Sequence, residues 1–70
     1  MITKDRINHD FSYHPATPKT GPKHDRVREL LLETAAQLVD IVPDGREQSV
    51  AVTKLEEAMF WANAGIARGG

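Results

Sequence analysis

Seventy residues, 40% of them hydrophobic, 27% charged and with a net charge of −1 at neutral pH, make one small domain at most. A chain this short buries only about 60% of its unfolded surface and needs a disulfide, a metal or a partner copy; it has no cysteine, and His9, His14 and His24 lack paired ligand spacing, so neither a cofactor nor a metal is expected and a partner copy is. The charge speaks against a general nucleic-acid coat or an acidic membrane surface, no apolar run is long enough to span a bilayer and no signal peptide opens the chain, so a soluble intracellular protein is expected.

Residues 1–16 are polar and carry alternating charges at Lys4, Asp5, Arg6 and Asp10, without sustained periodicity. They read as an irregular N-terminal arm with one short helical turn; residues 1–9 read as disordered, and residues 11–24 as an ordered arm that completes a pocket in an oligomer. The stretch "ATPKTGP" offers two helix starts: Thr17 as cap with Pro18 first, or Thr20 as cap with Pro22 just inside. A helix begun at Pro18 would place Pro22 where it costs a hydrogen bond, which favours a start near Thr20.

From Lys23 to Val42, the positions Val27, Leu31, Thr34 (by its methyl), Leu38 and Ile41 step by four, three, four and three, the helical period. Pro43 then breaks the chain, and Asp44 with Glu47 three residues on reads as a capping box. A second helix is predicted from about Gly45 to Ala67, with Val52, Leu55, Met59, Ala62 and Ile66 in step and Gly69 and Gly70 closing it. The fold class is all-α: an antiparallel two-helix hairpin over 17–70, each helix on the order of 30 Å long, preceded by the arm.

One partner helix cannot cover the apolar surface this pattern presents. On the first helix Leu30, Leu31, Thr34, Leu38 and Ile41 form the seam, Ala35 bridges, and Leu32 and Val39 lie well off it. On the second helix Trp61 points away from Met59, beside a row of small residues at Ala51, Ala58 and Gly65. Alanine is also simply a good helix former, but the row together with the outlying Trp61, Leu32 and Val39 favours self-association into a homo-oligomer.

Charge is polarised along the hairpin. Residues 17–28 with 62–70 hold Lys19, Lys23, Arg26, Arg28 and Arg68 against Asp25, net +4, whereas residues 29–61 hold two cations against seven carboxylates, net −5. Folding about residue 44 brings Trp61 near Val27 and Arg28. Cations, the free N–H groups of a helix start and the rings of Phe11, Tyr13 and Trp61 together suit a phosphorylated heteroaromatic ligand, with Lys23, Arg28 and Trp61 as candidates. The competing reading is a solvated basic face. Catalysis finds little support, because no Ser or Cys nucleophile has an evident base, His24 and Asp25 are helical neighbours that do not face each other, and no glycine-rich phosphate loop is present.

"FSYHPATP…KHDRVR" and "VPDGREQSVAVTKLEEAMFWANAGIAR" together resemble the helical-hairpin domain shared by phage anti-CBASS and anti-Thoeris signal sponges, over residues 11 to 68. The second stretch is the more specific, since Gly45-Arg46-Glu47 leads into Thr53-Lys54-Leu55-Glu56-Glu57-Ala58 and Trp61-Ala62-Asn63. The resemblance implies a non-enzymatic protein that assembles into homo-oligomers, typically hexamers, in the host cytoplasm. It also implies that cyclic di- or trinucleotides, or cyclic ADP-ribose derivatives, are sequestered between protomers. By that resemblance Tyr13 of the "YHP" arm, with His14 beside it, is the stacking ring, Arg46 holds phosphate, and Thr53 and Lys54 follow as further contacts. Gly21 and Pro22 depart from the family pattern, which has continuous helix there. The alternative is a helical oligomerisation or protein-interaction module without a small-molecule ligand; a DNA-binding regulator is disfavoured by the net charge.

Overall fold

The computed structural model describes residues 1–69, and these form three α-helices with no strand. They are α1, Lys4–Phe11; α2, Gly21–Ile41; and α3, Arg46–Gly69. Gly70, expected to close the last helix, lies outside the described residues, and Gly69 is itself helical.

The first helix, Lys4–Phe11, corrects the reading of residues 1–16 as irregular and of residues 1–9 as disordered. Thr3 Oγ1 accepts the Arg6 N–H at 3.1 Å as a side-chain N-cap, and Asp5 lies in the positive first turn. Arg6 and Asp10, one turn apart, are 3.5 Å from each other. These signals are local and polar, and the segment shows no apolar period that would mark a helix.

Residue 20 does precede α2, but not as a side-chain cap. Thr20 has helical dihedrals (φ −90°, ψ −29°) and makes no capping bond. Its hydroxyl turns back instead, accepting from the Thr17 N–H at 2.9 Å and lying 3.1 Å from Thr17 Oγ1. Thr17 in turn accepts from the N–H groups of Lys19 and Thr20, so both predicted starts are used: one turn capped by Thr17, then the helix proper. Pro22 sits in the first turn of α2, where its missing N–H costs nothing.

Helix α2 ends at the Val42 N–H, which bonds the Leu38 carbonyl at 2.9 Å, and Pro43 follows. The capping box at Asp44 does not form. Gly45, with φ of 156°, takes the position before α3, and its carbonyl accepts from Ser49 N–H. Gln48 reaches back from the first turn of α3 and donates to the Val39 and Val42 carbonyls at 3.2 and 2.9 Å, satisfying α2 acceptors that its own helix leaves free. The Val39–Gln48 bond and a His24–Asn63 bond at the other end are both centred on residues 43–44, so the hairpin folds where the sequence reading places the turn.

The packing seam is rotated from the expected one. Val27, Leu31, Ala35, Leu38 and Val42 are the half-buried residues of α2's apolar face, while Thr34 is exposed with its hydroxyl on the Leu30 carbonyl, and Ile41 is 80% exposed. The small Ala35 lets α3 approach where the sequence reading credited the Thr34 methyl. On α3, Val52, Leu55, Met59 and Ile66 face inward as expected, but Asn63 replaces the exposed Ala62. Among the described residues no hydrophobic side chain is fully buried.

Candidate functional site

The arm is tied to the end of α3 by polar contacts. His9, in the last turn of α1, donates from Nε2 to the Arg68 carbonyl at 3.0 Å, and Asp10 reaches the Arg68 side chain at 3.5 Å. Just beyond the helix, His14 donates from Nε2 to the His9 carbonyl at 2.7 Å, and the two imidazoles meet edge to face with centroids 4.7 Å apart. The segment quoted in the family resemblance is thus held at the open end of the hairpin. Tyr13, between these anchors, stays 87% exposed and shares no ring contact with another aromatic among the described residues.

The cations divide into engaged and unengaged. Arg26 lies 3.8 Å from Glu29, Arg28 3.3 Å from Asp25, and Arg68 is held by Asp10. Lys19 and Lys23, at the start of α2, take part in no ion pair among the described residues. The positive end read from the sequence is therefore partly neutralised by its own carboxylates, one of which, Asp10, the arm brings in.

The remaining candidates lie elsewhere. Arg46 opens α3 and borders an open depression of about 450 Å³ with Glu47, Val50 and Ala51. Along one helix it stands about 33 Å from Arg68. Thr53 is exposed, and Lys54 is 3.3 Å from Glu57. Trp61 is 72% exposed on α3, on the outer side as expected, and Phe60 beside it is 56% exposed, a ring the sequence reading passed over. Within one chain, then, Tyr13 and His14 share the arm, Lys23 and Arg28 share α2, and Arg46, Thr53, Lys54 and Trp61 are distributed along α3.

A second open groove, of about 400 Å³, runs between α2 and α3. Leu31, Leu32, Ala35, Val52, Leu55 and Met59 line it, with Arg28, Glu29 and Glu56 also bordering. Its apolar lining and its two carboxylates against one guanidinium suit a helix side better than a phosphate. No group of residues among those described could hold a metal ion, and no described helix is long and apolar enough to cross a membrane.

Residues that organise this end were not foreseen. Asp10 and His9 could have been suspected only as the polar partners of a docked arm, and Asn63 only as a polar residue falling in step with Met59 and Ile66 on the seam.

No curated protein and no solved structure matches the chain. One family match covers residues 3–67, nearly all of it, and reaches back through α1, beyond the stretch on which the resemblance was first seen: the Acb2/Tad1 hairpin domain. The chain belongs to this family, that of the anti-CBASS and anti-Thoeris sponges.

Proposed function

We propose that the protein is a non-enzymatic sponge that binds cyclic di- or trinucleotides, or cyclic ADP-ribose derivatives, in the host cytoplasm and withholds them from anti-phage defence. The observation that carries this reading is the family match over residues 3–67. The arm is consistent with it: Tyr13 offers a free ring face on an anchored segment, and Lys23 and Arg46 are cations without an ion-pair partner among the described residues. His14 fixes the arm, while Arg28, Thr53, Lys54 and Trp61 complete the set of candidate contacts.

Because these residues do not converge in one chain, the proposed sites lie between protomers of a homo-oligomer, a hexamer by family resemblance. The dimensions of the single chain support assembly. It exposes 5720 Å², against about 4,400 Å² for a compact monomer of its mass. Its radius of gyration is 15.3 Å, against about 11 Å for a compact domain of this length. A chain so open has apolar surface to cover.

Native mass spectrometry with a panel of cyclic di-AMP, cyclic tri-AMP and cyclic ADP-ribose isomers tests the reading, since stoichiometry and ligand emerge together. The expected result is an oligomer carrying a ligand that is recovered intact after denaturation. Absence of binding across the panel overturns it for these ligands. Tyr13→Ala is expected to weaken binding by about 5- to 150-fold, the range that loss of a stacked base spans, with the fold unchanged by circular dichroism.

The exposed Leu32, Phe60 and Trp61 support a second reading, a protein-interaction module without a nucleotide. That reading expects a protein partner in pull-downs, lost on Trp61→Ala, and no ligand in the same mass spectra.

A further inference from the structure

Two ties, both to Arg68, fasten the arm to the hairpin and a third closes the arm on itself, and none of them involves Tyr13. His9 Nε2–H donates to the Arg68 carbonyl at 3.0 Å, the Asp10 carboxylate spans Arg6 and Arg68 at 3.5 Å each, and His14 Nε2–H closes the chain onto the His9 carbonyl at 2.7 Å. The first of these joins residues 59 apart in sequence. Helix α1 has only 8 residues, too few to stand alone in water. Its only buried surface of note is the half-buried Asp10, so these polar ties hold it in place rather than an apolar face.

We propose that His9, Asp10 and His14 are positioning residues which, with Arg68, latch the Tyr13 arm onto the end of α3, and that the latched arm is the binding-competent state. This inference rests on the proposed function and adds to it a set of residues that touch no ligand. Its logic is that of a pre-equilibrium: apparent affinity scales with the fraction of chains whose arm is latched. Each tie is a half-exposed or exposed polar contact, so the latch is of modest strength and removal of two ties releases the arm.

The test pairs hydrogen exchange with calorimetric titration of cyclic di-AMP, cyclic tri-AMP and cyclic ADP-ribose. In His9→Ala/Asp10→Ala, amides of residues 4–14 are expected to exchange at least about tenfold faster while those in the middle of α2 and α3 keep their protection. The Kd of the bound probe rises roughly tenfold. His9→Gln/Asp10→Ala, whose side-chain amide still donates at the Nε2 position, is expected to return both quantities to near wild type. Tyr13→Ala weakens binding with arm exchange unchanged, which separates the stacking ring from the latch.

Faster arm exchange with an unchanged Kd overturns the proposal, as does unchanged arm exchange in the double variant. So does a His9→Gln/Asp10→Ala variant that behaves like His9→Ala/Asp10→Ala. A wild-type chain that binds none of the probes refutes the proposed function and the binding role of the latch with it. The exchange data then still decide whether the latch exists.

Discussion

His24 on α2 and Asn63 on α3 hold each other across 39 residues of chain, Nδ1 2.8 Å from Oδ1, with both residues half-buried. The imidazole N–H donates and the amide oxygen accepts. An interhelical polar pair on an apolar seam fixes register, because sliding either helix leaves both groups unpaired. Asn63→Leu removes the acceptor alone and is expected to cost about 1–2 kcal/mol, a fall in Tm of roughly 4–8 °C for each kcal/mol. His24→Leu/Asn63→Leu leaves no orphaned group and should recover much of that loss. Calorimetry at one fixed chain concentration decides it, since assembly makes Tm depend on concentration. A single variant as stable as wild type would show that the pair does not lock the hairpin.

At the closed end the same task falls to Gln48, whose amide donates to the carbonyls of Val39 in α2 and of Val42, the residue that caps it. Gln48→Glu keeps the shape and removes the donor, placing a carboxylate against the negative end of α2. Its place in the first turn of α3 favours the new charge by a few tenths of a kcal/mol, less than the lost bonds cost. A net loss of about 1–2 kcal/mol at pH 7 is expected. Thermal melts of Gln48→Glu and Gln48→Ala check this, and a Gln48→Glu variant at or above wild-type Tm contradicts the capping role.

The hairpin was legible because each long helix repeats its apolar residues at the helical period and Pro43 punctuates the chain between them. The rotation of the seam from Thr34 to Ala35 was not, for a physical reason: α2 carries surplus apolar residues on both flanks, Leu30 and Ile41 on one and Leu32 and Val39 on the other. A wheel with so wide a stripe does not say which part meets α3. Helix α1 escaped because its order comes from the Thr3 cap and from ties to Arg68, near the far end of the chain, not from any local apolar rhythm. The polarity of the candidate site was legible as a count of charges. What a count does not contain is that Asp10, Asp25 and Glu29 neutralise three of the arginines.

Gly45 is the one described residue with a positive φ, 156°, a backbone angle that L side chains rarely adopt. Space is not the obstacle, since a Cβ there would meet Glu47 Oε2 at an ordinary 3.7 Å. Gly45→Ala therefore isolates the backbone term and is expected to destabilise by about 1–3 kcal/mol. Asp44→Ala, which removes only an unformed capping box, is expected to lie within about 0.5 kcal/mol of wild type. Denaturant unfolding of the two variants tests the assignment. A destabilised Asp44→Ala beside a Gly45→Ala with the wild-type midpoint would return the capping role to Asp44.

Leu32, 72% exposed in the single chain, lines the apolar groove between α2 and α3 on the flank that no helix of the same chain covers. If the chain works alone, Leu32→Glu is a surface change worth within about 0.5 kcal/mol. If copies assemble over this flank, the substitution removes the burial of a leucine, about 1.5–3 kcal/mol per protomer, and strands a carboxylate in the interface as well. If copies assemble, Leu32→Glu is expected to sediment as a monomer at concentrations where wild type sediments as an oligomer, with helicity by circular dichroism largely retained at high protein concentration. The same variant also locates the proposed binding site. A pocket built between protomers loses its ligand when the oligomer comes apart, whereas Leu32→Glu protein that sediments as a monomer and still binds cyclic nucleotide would place the whole site within one chain, around the latched arm.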